Sequence, residues 1–122
     1  MESRDYIQRE INKLSILFKK LLSLLDQDPT GENTKKAIGN ELTDNFASNM
    51  LELTNEDLIA LGKEQNFSIE NWEQLLFFMN GYNNKYPKQI NDCDKKLLAI
   101  YQQLQKEGGT ISFETLSIVD GL

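Results

Sequence analysis

The sequence predicts an all-α protein of about five to six helices, packed as antiparallel α-hairpins in a compact bundle or repeat-like array. Three observations predict it. First, Ile7, Ile11, Leu14, Phe18, Leu21 and Leu25 recur at alternating intervals of four and three residues; on a helix they share an arc of about 80°. Second, only two prolines occur, Pro29 and Pro87, and each falls between apolar-periodic stretches. Third, the one alternating stretch, Thr110-Ile111-Ser112-Phe113, has no second strand to pair with.

The elements follow in order. Residues 3–26 read as the longest helix. Tyr6, Leu17 and Leu24 widen its stripe on one side and Leu22 on the other, giving an apolar face of about 160° that calls for two neighbours. Ile16 lies about opposite the stripe, and Arg4, Arg9, Lys13, Lys19 and Lys20 supply a solvated side. Asp28-Pro29-Thr30-Gly31 stops the helix, since proline removes a donor and glycine accepts positive φ. A second helix, Glu32 to Ser48, places Ile38, Leu42 and Phe46 on one face, with Leu51 to Leu53 as a connector. Thr54 caps a short third helix whose first turn holds Glu56 and Asp57. Ser68 caps a fourth, with Ile69, Trp72, Leu75, Leu76, Met79 and Tyr82 as its face. Pro87 breaks the chain. Asn91 or Asp92 caps a fifth helix carrying Cys93, Leu97, Ile100, Tyr101 and Leu104, and Gly108-Gly109 ends it. Ser112 caps a last helix whose face is Phe113, Leu116 and Val119.

At 122 residues the chain is one domain, 1–122, able to hold a core without disulfides. It has no histidine and one cysteine. Histidine bases, Cys-His or Ser-His nucleophiles, His-ligated metals and CxxC redox chemistry are therefore absent. The start, Met1-Glu2-Ser3-Arg4-Asp5, is charged and no apolar leader follows. The expectation is a cytoplasmic protein of bacterial type, and the single cysteine suits a reducing compartment. The net charge of −6 is unevenly spread: residues 41–73 hold Lys63 against eight acids. That stretch repels phosphates, so nucleic acid is not expected as partner, and the acids of the first helix together with the net charge argue against an anionic membrane.

No constellation demands catalysis. Asp26, Asp28, Thr30 and Gly31 imitate half of a calcium loop, but the twelfth position is Ala37 where a bidentate glutamate is needed. Asp92 and Asp94 flank Cys93, yet on a helix they diverge by about 200°. Glu52, Glu56, Asp57, Glu70 and Glu73 could furnish an acid pair, but without the Glu-x-x-His units of di-metal bundles they read as a solvated face. No phosphate-binding glycine loop is present. Neither a cofactor nor a metal is expected.

Several stretches, in this order, resemble a family of small uncharacterised bacterial helical proteins. They are Asp5-Tyr6-Ile7-Gln8-Arg9-Glu10-Ile11 with the leucines after it, Leu53-Thr54-Asn55-Glu56-Asp57-Leu58-Ile59, Phe67-Ser68-Ile69-Glu70-Asn71-Trp72, and Leu97 to Phe113. The resemblance implies tetratricopeptide-like helix pairs and brings no activity. A clean 34-residue repeat, the tetratricopeptide period of about 34, is not found.

Apolar residues off their stripes carry the functional expectation. Ile16 opposes the first stripe, Phe77 lies about 140° from Trp72, and Leu98 lies about 100° from Leu97. The expected function is a noncatalytic protein-interaction or adaptor module that offers Ile16 and Phe77 to a protein or peptide partner. The alternative is a homodimeric structural or regulatory protein pairing through Ile7, Ile11, Leu14 and Phe18. A small enzyme using carboxylates without histidine ranks third.

Overall fold

The structure is a computed structural model that describes residues 2–27, 32–46, 49–108 and 110–122; the side chains of residues 2–12 and 27 lie outside the description. The expected turn at Asp28-Pro29-Thr30-Gly31, the side chains of Ile7 and Ile11, and Gly109 fall outside it. The helices are α1 (Glu2–Gln27), α2 (Glu32–Phe46), α3 (Asn55–Glu64), α4 (Ile69–Lys85), α5 (Cys93–Lys106) and α6 (Phe113–Asp120). A single 3-10 turn, Met50–Glu52, stands where the connector was expected. No strand occurs among the described residues.

Three of the predicted caps form. Thr54 Oγ1 accepts from the Asp57 amide at 3.1 Å, and Ser112 Oγ accepts from the Thr115 amide at 3.1 Å. At Ser68 the cap is reciprocal: its Oγ accepts from the Asn71 amide, and the Asn71 side chain accepts from the Ser68 amide, both at 3.1 Å. Two orphan donors are satisfied at once. The cap predicted for the fifth helix does not form. Asp92 occupies the N-cap position with a left-handed backbone, φ 50°, and its side chain makes no capping bond. A cap needs extended backbone to aim its oxygen at the next amides. Instead the Lys96 ammonium folds back and donates to the Asn91 carbonyl.

The end of α3 is built by backbone handedness. Asn66 takes φ 57°, so the Phe67 amide reaches the Gly62 carbonyl (2.9 Å) and the Asn66 amide reaches the Lys63 carbonyl (3.1 Å). This is a Schellman closure with asparagine in the place glycine usually takes. It turns Phe67 into the core. There Phe67 meets Phe18 edge-on at 5.6 Å, Phe46 at 6.2 Å and Trp72 at 5.1 Å between ring centroids. One aromatic knot thereby joins α1, α2, the α3–α4 turn and α4.

Helix α4 is the central element and packs most closely against α1 and α5. Its buried set is Asn71, Trp72, Gln74, Leu75, Leu76, Phe78, Met79 and Tyr82, an arc of about 200° that includes two amides. The amides face α1. Asn71 Nδ2 donates to Ser15 Oγ (3.3 Å) and to Gln74 Oε1 (3.2 Å), and Gln74 Nε2 donates to the Ser15 carbonyl (3.4 Å). Further along, Gly81 sits against Leu25. Both contacts advance in the same direction, so α1 and α4 are parallel.

The remaining pairs complete the bundle. Phe18 with Phe46, and the 2.6 Å ion pair of Lys20 with Glu41, make α1 and α2 antiparallel. Asn80, Asn83 and Asn84 near the end of α4 share a recess with Asp94 and Leu97 at the start of α5, so these two are antiparallel. Helix α3 runs parallel to α5, and α6 parallel to α4. Successive helices therefore alternate in direction except across the 3-10 turn, where α2 and α3 point the same way. The α1–α2 hairpin lays α1 alongside α4 as a result.

Leu14 and Phe18, two of the four residues of the expected dimer face, are buried in the chain's own core. One sequence expectation is corrected by this packing: the last helix is rotated. Its buried residue is Thr115, whose Oγ1 donates to Glu73 Oε2 at 3.1 Å, and Phe113 is 83% exposed. A hydrogen bond to α4 anchors that face, and Ile111 and Ile118 pack beside it.

Candidate interaction surface

Helix α1 presents its outlying residue to solvent. With Leu14, Phe18, Leu21 and Leu25 turned inward, the helical period carries Ile16 to the opposite side, where it is 66% exposed. Lys13, Lys19 and Lys20 are exposed around it. Residues three and four positions away are surface neighbours on a helix, so these lysines ring the isoleucine. Of the two partner contacts predicted from sequence, Ile16 is thus on the surface. Phe77 is half-buried and packs against the core. It belongs to α4, the helix alongside α1, so the two contacts fall on one helix pair.

Sequence reasoning missed the outward side of α6. Phe113 and Leu116, 83% and 39% exposed, are three residues apart and form an apolar ridge. Glu114 and Asp120 are its charged residues, and α6 has no basic residue. The signal was present in the competing stripe Ile111, Thr115, Ile118 and Val119, which a reading by hydrophobic size alone passes over because threonine stands at its centre. Leu98 on α5 is exposed as its off-stripe position implies.

Two recesses lie between α3 and α5. One is lined by Ile59, Ala60 and Ala99, with Glu56, Lys63 and Gln102 around them. It is a shallow groove along two parallel helices. The other, at the start of both helices, is lined by Glu52, Glu56, Asp92, Asn91 and Lys96. Lys96 is only 4% exposed, its ammonium held by the Asn91 carbonyl. Of the acids that sequence reading considered, Glu52 and Glu56 line this recess with Asp92, and all three are exposed, as are Asp57 and Glu70, while Glu73 accepts from Thr115. Among the described residues no group of three acidic or cysteine side chains is placed to hold a metal ion.

Cys93 is buried, as its place on the Leu97–Ile100 stripe predicted. Burial chiefly, and the neighbouring Asp94 carboxylate, push its thiol pKa up; Lys96 opposes them. The neutral thiol is a poor nucleophile. Tyr82, set between the tilted rings of Phe78 at 6.0 Å and Tyr86 at 5.0 Å, is likewise pushed up, first by burial and then by Tyr86 and nearby carboxylates. Both groups serve packing. No described helix is long and apolar enough to cross a membrane. The chain matches no known family model, no curated protein and no solved structure.

Proposed function

We propose that the protein is a noncatalytic interaction or adaptor module that docks a protein or peptide partner on the α1–α4 side of the bundle. The supporting observation is Ile16: a large apolar side chain, 66% exposed, set within exposed lysines on the outward face of the longest helix. Exposed isoleucine contributes nothing to the core, and apolar anchors with a charged rim are the usual anatomy of a binding patch. Phe77 contributes the part of its ring that the core leaves uncovered.

The tetratricopeptide-like part of this reading draws support from helix directions. Helices α3 and α5 run parallel, as do α4 and α6, with α4 and α5 antiparallel. Two stacked helix hairpins have this arrangement, and α3 and α5 would then line the shared groove at Ile59, Ala60 and Ala99. Capture of the tagged protein from its source cells tests the proposal. A stoichiometric partner should be retained by the native chain and lost from the Ile16→Asp and Phe77→Asp variants. Equal retention by native and Ile16→Asp protein, both folded by circular dichroism, overturns the assignment.

A further inference from the structure

Among the described residues, the two most exposed large apolar side chains sit on helix segments of opposite charge. Phe113, 83% exposed, and Leu116 lie on α6, whose charged residues are Glu114 and Asp120. Ile16, 66% exposed, lies on the part of α1 from Lys13 to Leu25, which carries Lys13, Lys19 and Lys20 and no acid. Lys20 already pairs with Glu41 of α2 at 2.6 Å but keeps 57% of its side chain exposed. Each face is an apolar anchor on a helix segment whose own charges have one sign, and each has the sign the other needs. Charge complementarity of this kind sets the register and choice of partner.

We propose that these faces are partners and that the occupant is a second copy of the chain: α6 of one protomer docks on the outward face of α1 of the next, Phe113 and Leu116 against Ile16, acids toward lysines. A foreign anionic partner would account for the lysines alone; a second copy also accounts for the acid-flanked ridge on α6. Homotypic contacts fit less well, since α6 on α6 brings four acids together and α1 on α1 brings six lysines together. The contact is heterologous: one protomer gives α6 and its neighbour gives α1. It differs from the dimer read from the sequence, whose Leu14 and Phe18 are core residues. The inference rests on reading the Ile16 face as an interaction surface.

Two variants and their mixture test it by sedimentation velocity. The native chain should exceed the monomer mass of 14.1 kDa as concentration rises, and the association should weaken as salt screens the lysine–acid pairs. Ile16→Asp spoils only the α1 face and Phe113→Lys only the α6 face. Each alone should weaken self-association about tenfold or more, since an anchor at the centre of a small contact dominates it. Mixed, they should form a one-to-one dimer with near-native affinity, because α6 of the Ile16→Asp chain still meets α1 of the Phe113→Lys chain. A native chain that stays at 14.1 kDa throughout overturns the proposal, as does a mixture no more associated than its components. If Ile16→Asp still loses a captured foreign protein in that case, self-docking fails while the interaction-module reading stands.

Discussion

Replacing Gly62 with alanine should destabilise the fold, although alanine is the better helix former. Gly62 lies on α3 directly beneath the Trp72 ring. A Cβ there runs into Trp72 Cη2 and comes within 2.6 Å of Cζ2 and 2.8 Å of Cζ3. The indole cannot step aside freely: it is 1% exposed and held edge-on by Phe67 at 5.1 Å. Overpacking of a well-packed core costs about 1–3 kcal/mol, and displacing a fully buried ring puts the cost at the upper end, about 2–3 kcal/mol. The helix-propensity gain of alanine over glycine returns about 1 kcal/mol. The balance is a loss of about 1–2 kcal/mol. Gly39 on α2 is the matched control, because a Cβ there meets nothing within 4 Å. Gly39→Ala should gain about 0.5–1 kcal/mol. Urea unfolding, followed by circular dichroism and by the fluorescence of the single tryptophan, reads both midpoints with unchanged slopes. A Gly62→Ala protein as stable as native, or a Gly39→Ala protein less stable, would refute the reasoning.

Further perturbations have defined outcomes. Asn71→Ala removes the partner of Ser68, Ser15 and Gln74 at once and should cost about 2–3 kcal/mol by urea melt. Asn66→Val forces a β-branched residue into φ 57° and should cost about 1–2 kcal/mol, whereas Asn66→Gly should lose nothing. Phe113→Ser should leave stability within about 0.5 kcal/mol of native, since that ring is outside the core. The Cys93 thiol should react slowly with a disulfide reagent in the native state and rapidly in denaturant. Because its folded pKa is raised, the folded state holds the thiol proton longer than the unfolded chain does. Its stability contribution is therefore complete below the unfolded thiol pKa, and declines as pH rises through the folded one. Native Cys93→Ala protein should show a shallower alkaline loss.

The caps at Thr54, Ser68 and Ser112 were legible in the sequence because capping is local: one side chain and the next few amides decide it. So were the faces of α1 from Leu14 onward, of α2 and of α5, where apolar spacing is regular. Asn71, Gln74 and Lys96 were not, because a periodicity reading turns polar residues outward. Asn71 and Gln74 are inside because Ser15 on a distant part of the chain supplies their partner. Lys96 is inside because the left-handed Asp92 brings the Asn91 carbonyl within its reach. The rotation of α6 has the same origin, in a bond from Thr115 to Glu73 across 42 residues. At the candidate surface, Ile16 was readable because a lone isoleucine opposite a complete stripe has no core position to take. Phe77 was only partly so: α4 is covered over a wider arc than its stripe suggests, and the ring is drawn half into the packing.

The most direct test of the proposed function places a photo-cross-linking amino acid at position 16 of the chain expressed in its source cells, with position 105, an exposed glutamine on α5, as control. The account predicts a discrete covalent adduct from position 16, larger than the chain alone, and none from position 105. No adduct at position 16, or the same adducts from both positions, would contradict it.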